Sequence, residues 1–145
     1  MKILVTGGLG YIGSHVTTLL LDKDFEVLCL DNLENSSEDV LDVINNITGK
    51  SPIFENIDIR DKSSLRILFD EHIDIKGVIH FAAYKSVEES HEKALDYYQN
   101  NIVGLLNLLE FISIKKIPLI FLLVLYCVHV EVLLENSHRY FHTNE

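Results

Sequence analysis

The sequence predicts an α/β fold built on a doubly wound parallel sheet, and three observations carry that prediction. Short apolar runs with β-branched members recur at Ile3-Leu4-Val5, Val27-Leu28-Cys29-Leu30, Ile53–Ile57, Gly77–Phe81 and Ile117–Phe121. Stretches with apolar residues at spacings of three and four alternate with them, the pattern of helices lying on a sheet. Glycines crowd the first junction between the two patterns, at Gly7, Gly8, Gly10 and Gly13.

That junction has a mechanism. Ile3–Val5 reads as a buried strand, and Ile12, Val16, Leu19 and Leu20 as the apolar side of the helix after it. A tight turn between them needs a residue without Cβ, which Gly7 supplies. Gly10 lets backbone approach a pyrophosphate, and Gly13 lets the helix pack against the strand. The pyrophosphate then sits on free N–H groups at a helix N-terminus, where the dipole favours an anion. The second run ends in Asp31, about twenty residues on, where a carboxylate accepts from ribose hydroxyls. The acid favours NAD over NADP, because a 2′-phosphate would meet a negative charge. The expectation is therefore a Rossmann-like NAD-binding domain.

The rest of the chain extends the alternation. Asp22-Lys23-Asp24 closes the first helix. Ser37 is placed to cap a second, whose apolar side is Val40, Leu41, Val43, Ile44 and Ile47, with Gly49 as its stop. Asp61 or Ser63 caps a third helix carrying Leu65, Leu68 and Phe69. A long helix is expected from Ala94 to Lys115, with Leu95, Tyr98, Ile102, Leu105, Leu106, Leu109 and Ile112 on one side. Within it Asn100-Asn101 is out of place, since asparagine is a poor helix former; a polar pair among apolar neighbours points to buried hydrogen bonding.

Composition bounds the function. The 145 residues are 48% hydrophobic with a net charge of −10, which suits one domain with a real core. The charge argues against a nucleic-acid surface. Two cysteines, Cys29 and Cys127, and scattered histidines give no disulfide or metal spacing. Cys29 reads as a small buried hydrophobe, and His80 and His15 as structural residues. The chain opens directly on a strand with no signal-peptide layout, so a cytoplasmic location is expected. Residues 119–134 are mostly apolar but interrupted by His129 and Glu131, too short a run for a membrane helix.

Thr6-Gly-Gly-Leu-Gly-Tyr-Ile-Gly13 is similar to the Thr-Gly-x-x-Gly-x-x-Gly motif of the extended short-chain dehydrogenase/reductases. Together with Asp31-Asn32-Leu33 and Asn35-Ser36, it makes residues 1–121 resemble the N-terminal part of the UDP-glucose 4-epimerases. The resemblance implies cofactor contacts at the backbone of Tyr11 and Ile12, at Asn32, Leu33, Asn35 and Ser36, and at Asp58-Ile59 against the adenine. It also implies contacts from Phe81, Ala82 and Ala83, whose small members let the chain pass close to the phosphates and ribose, from Lys85, and from Asn100. It implies a UDP-glucose or UDP-galactose substrate, with NAD removing and returning a hydride at C4. It further implies homodimers paired through long helices, one of which resembles the Leu95–Lys115 helix. Another nucleotide-sugar epimerase or dehydratase, or a non-catalytic NAD-binding module, are the alternatives.

The resemblance stops at Phe121. The family continues with serines and a threonine leading to Val-Tyr-Gly, and then Tyr-x-x-x-Lys, whose tyrosine is the acid/base and whose lysine lowers its pKa. Here the chain reads Phe121-Leu-Leu-Val-Leu-Tyr-Cys-Val-His-Val130, and no tyrosine is followed by a lysine four residues on. No catalytic residue is therefore assigned. The expected organisation is an incomplete NAD-binding domain over 1–121 and a divergent tail over 122–145, without the substrate domain and inactive alone. A reading-frame shift is the preferred origin, since codons for Leu-Leu-Val read one base earlier can spell Ser-Ser-Ser; a natural short isoform is the alternative.

Overall fold

The structure, a computed structural model, describes residues 1–122. Five parallel strands lie in the order β3-β2-β1-β4-β5. They are β1 (Lys2–Thr6), β2 (Glu26–Asp31), β3 (Ile53–Asn56), β4 (Ile75–His80) and β5 (Leu119–Leu122). The chain runs outward from the centre to one edge, then returns to the other side of β1. The order therefore reverses between β1 and β4, and such a reversal opens a crevice beyond the strands' carboxyl ends.

The two faces of the sheet carry separate cores. Side chains alternate along a strand, so Ile3 and Val5 join Val27, Cys29 and Ile79 on one face, while Leu4 joins Leu28, Leu30 and Val78 on the other. Helices α1 (Tyr11–Asp22) and α2 (Asp39–Thr48) cover the first face. Helices α3 (Lys62–Glu71) and α6 (Leu105–Lys115) cover the second, where Phe69 and Phe111 stack with ring centroids 5.6 Å apart. The charged end of Lys2, on the central strand, is held by Glu26 at 3.1 Å and Asp74 at 2.9 Å. Asp61 caps α3 by accepting from the N–H groups of Ser63 and Ser64.

Several expectations change. On α1 the buried row is Gly13, Thr17 and Leu21, whereas Leu19 is 58% exposed. The close approach of α1 to the glycine turn leaves room only for small residues, and Thr17 Oγ1 donates to Gly8 O at 3.3 Å. On α2 only Ile44 is buried; Val43 and Ile47 face outward. Ser37 accepts from Asp39 N at 3.3 Å, one turn residue ahead of a helix whose N-cap is Glu38.

The long helix is not uniform. A short helix, α4 (Val87–Glu92), precedes it, capped by Ser86, and had no periodic signal of its own. Then α5 (Ala94–Tyr98) passes through a π-helical turn, Gln99–Gly104, into α6. The extra residue of that turn shifts the helical phase. Leu105 and Ile112 are buried as expected, but Leu106 beside them is 58% exposed; upstream the buried aromatic is Tyr97, and Leu95 is 76% exposed. No helix among the described residues is long and apolar enough to cross a membrane. The expected tail begins with Leu122, the last residue of β5, and 123–145 lie outside the described residues.

Candidate dinucleotide site

The carboxyl ends of β1, β2 and β4 open into one cleft, and the glycine turn forms its floor. Gly7 has φ 66°, in the left-handed region, and its N–H donates to Leu30 O at 2.8 Å, locking the turn to β2. A Cβ on Gly7 would stand 2.6 Å from Ala82 N, so the loop after β4 is also pressed against this turn. A Cβ on Gly13 would meet Gly7 O at 2.0 Å. Helix α1 therefore starts in backbone contact with the turn, and Tyr11, Ile12 and Gly13 line the cleft with Gly7 and Gly10. The N-cap residue is Gly10, with no side-chain cap, so the first-turn N–H groups, which no helix can satisfy internally, are left for a ligand at the positive end of the dipole. Gly8, which the motif leaves unspecified, packs over the buried Cys29: a Cβ there would lie 2.4 Å from Cys29 Sγ. Burial, then the nearby Asp31 charge, pushes the Cys29 thiol up to about 12.

Asp31 organises the next wall. It is buried, and its Oδ2 accepts from Leu9 N at 3.0 Å. Its Oδ1 accepts from Leu33 N at 3.1 Å and Ser36 Oγ at 2.7 Å. A carboxylate has about four acceptor sites, so three bonds leave capacity on Oδ2. Asn32, Asn35 and Ser36 line the cleft. Leu33 does not; it has φ 60° and packs against the core cluster of the α1–α2 face.

After β3 the cleft is lined by Ile57 and Ile59, not by Asp58. The Asp58 carboxylate is turned toward Arg60, which reaches it from N at 2.7 Å, Nε at 2.9 Å and Nη2 at 2.5 Å, and toward Asn32 Nδ2 at 3.1 Å. Burial would raise the Asp58 pKa; the Arg60 and Asn32 hydrogen bonds outweigh it and hold it below the usual range. These donors fill the carboxylate, so a ligand amine has to displace one of them to bind there. Arg60 also reaches Glu34 at 3.1 Å and lies 5.9 Å from the centroid of the Tyr84 ring. Tyr84 donates from its hydroxyl to Glu34 Oε2 at 2.5 Å. Burial, then that bond to an anion, raises the Tyr84 pKa.

After β4, Phe81, Ala82, Ala83 and Lys85 complete the lining, with Asn100 from the π-turn opposite. Leu30, Ile57 and Tyr84 also line the cleft and had not been singled out. Tyr84 had a signal, its place between Ala83 and Lys85; Leu30 and Ile57 read only as strand residues. His80 lies beneath, with Nδ1 2.6 Å from Thr6 Oγ1 in a hydrogen bond. Its Nε2 is buried with no hydrogen-bond partner among the described residues. Burial pushes the His80 pKa down to about 4.

A model of the family described as GDP-mannose 4,6 dehydratase matches residues 4–122. The chain belongs to this family. A UDP-glucose 4-epimerase of Yersinia enterocolitica is 49% identical over 117 residues, 81% of this chain and 34% of that protein. A UDP-glucose 4-epimerase of Klebsiella pneumoniae is 48% identical over 110 residues, 76% of this chain and 78% of that sequence. The UDP-glucose-4-epimerase of Stenotrophomonas maltophila, with bound NAD and formylated UDP-arabinopyranose, superposes with a TM-score of 0.78 at 43% identity. It covers 83% of this chain and 36% of that one. The epimerase of Bifidobacterium longum, in complex with NAD+ and UDP, gives 0.77 at 38% identity over 81% of this chain and 35% of that one. The chain thus spans about a third of the length of the Yersinia relative.

Proposed function

We propose that the cleft binds NAD and that the chain is the dinucleotide-binding part of a UDP-glucose 4-epimerase. The observation that carries this reading is the uncapped first turn of α1, in one cleft with Asp31, at a turn that admits no Cβ at Gly7 or Gly13. That donor set fits a pyrophosphate beside a ribose. The first-turn N–H groups of Tyr11, Ile12 and Gly13 would hold the phosphates, and Asp31 Oδ2 would accept from ribose hydroxyls. Ile57 and Ile59 offer an apolar wall for the adenine, and Lys85 adds positive charge on the β4 side. Bound there, the dinucleotide supplies reversible hydride exchange with C4 of a UDP-sugar. The chain's own part is to hold it, to orient it and to keep water from the apolar wall. The exposed Leu95, Leu106 and Ile114 on helix 94–115 are where we place a homodimer contact.

The 145-residue chain has no Tyr-x-x-x-Lys pair, so it is expected to bind without epimerase turnover. Calorimetric titration with NAD and NADP tests the reading. NAD is expected to bind at least ~10-fold more tightly, because a 2′-phosphate would approach the Asp31 carboxylate. Equal affinities, or no binding of either, overturn it.

A further inference from the structure

The π-turn buries two consecutive asparagines, Asn100 at 4% and Asn101 at 2% exposure. In a regular α-helix neighbouring side chains diverge, and only residues three or four apart share a face. A π-turn widens the helix by one residue, and such turns cluster at functional sites. Here the inserted residue gives the helix two inward side chains in a row. Gly104 completes the turn against the cleft wall: a Cβ on it would lie 2.6 Å from Ile59 Cδ1.

The two amides differ in what they touch. Asn100 lines the cleft. Asn101 does not; its Oδ1 accepts from Tyr84 N at 2.8 Å, and its Nδ2 donates to Tyr84 O at 3.0 Å. That pair satisfies both backbone groups of one residue in the loop after β4, much as a neighbouring strand would. The same Oδ1 accepts from Asn100 Nδ2 at 3.0 Å, which fixes the orientation of the Asn100 amide.

We propose that Asn101 is a positioning residue. Through its amide it sets the Ala83–Lys85 loop and the Asn100 amide in register with each other, forming the β4 side of the cleft. The proposal rests on the dinucleotide reading above. A dinucleotide at this crevice lies half on each side of the switch point. Asp31 faces ribose hydroxyls on the β2 side, so adenosine monophosphate samples that side and NAD samples both.

Titration of the full 145-residue chain and its Asn101→Ala variant with both ligands tests this. The expected result is a loss of ~10-fold or more in NAD affinity, with adenosine monophosphate affinity changed less than ~2-fold. A Phe111→Leu variant, loosened in the core behind the sheet, should keep both affinities. Unchanged NAD binding in Asn101→Ala, or equal weakening of both ligands, overturns the proposal. Failure of the wild-type chain to bind NAD would instead remove the dinucleotide reading. In that case, or if Asn101→Ala does not fold, hydrogen exchange on the wild-type chain decides. The Tyr84 amide should exchange as slowly as those of β4, and exchange at open-loop rates overturns the role of Asn101.

Discussion

Replacing Gly13 by alanine tests the contact on which the cleft is built. The new Cβ would lie 2.0 Å from Gly7 O and 2.9 Å from both Gly7 C and Gly8 Cα. Ordinary carbon contacts need about 3.5 Å, so α1 would have to move away from the turn by roughly 1.5 Å. These three nearest atoms are all backbone, so no side chain can rotate aside to relieve them. Overpacking of this kind costs about 1–3 kcal/mol, and the upper end applies here. Alanine recovers about 1 kcal/mol through helix propensity, leaving a net loss of ~2 kcal/mol. For a domain of this size that lowers Tm by roughly 8 °C, read by thermal unfolding followed by circular dichroism. Gly49→Ala is the comparison. Gly49 caps α2 at φ 68° with nothing within 4 Å of its Cβ, so that substitution carries only the left-handed penalty of about 1 kcal/mol. A Gly13→Ala variant melting at or above Gly49→Ala would refute the steric argument.

Two further predictions concern buried titratable groups. Folded His80 titrates at about 4, below its ordinary value of 6.5. Between these values the unfolded chain takes up a proton that the folded chain does not. The stability is therefore complete above pH 6.5 and falls by ~3 kcal/mol as pH drops toward 4. Urea unfolding at several pH values should show His80→Asn flattening that slope, and parallel curves would contradict it. In a Cys127→Ser background, Cys29, with its thiol pushed up to about 12, should react with a disulfide reagent at pH 8 only as the chain unfolds, because roughly one in ten thousand thiols is ionised there. Labelling at the rate of a free thiol in the native protein would show that the cover over Gly8 and Cys29 opens.

Much of this site was legible in the chain because its parts are local. Gly7, Gly10 and Gly13 specify a turn and a helix start within a few residues, and Asp31 follows at the next strand end, so spacing alone brought them together. Strand identity was equally local: runs such as Val27–Leu30, short and bounded by polar turns, have the length of a buried strand and not of a helix. Asp58 was less legible, because Arg60 lies two residues away and competes for its carboxylate, and only side-chain packing shows who wins. The inward packing of Leu33 was not legible either, since nothing in the sequence marks it for a left-handed φ. The segment of helix 94–115 before the π-turn was misread in phase because periodicity assumes 3.6 residues per turn throughout, and one inserted residue turns Tyr97 inward and Leu95 outward. Leu106, next to the buried Leu105, is exposed because adjacent helical residues diverge.

The sequence by itself determined the alternation of strand and helix, the glycine turn and the carboxylate at the next strand end, since each depends on neighbours along the chain. The tertiary structure decided what depends on distant partners. It set the order β3-β2-β1-β4-β5, which opens the crevice between β1 and β4. It made Thr6 and His80, 74 residues apart, partners beneath the turn. It brought Asn101 to the backbone of Tyr84, 17 residues away. A hydrogen bond between remote residues leaves no periodicity in a sequence, and only the packed sheet and the π-turn place its two ends within 3 Å.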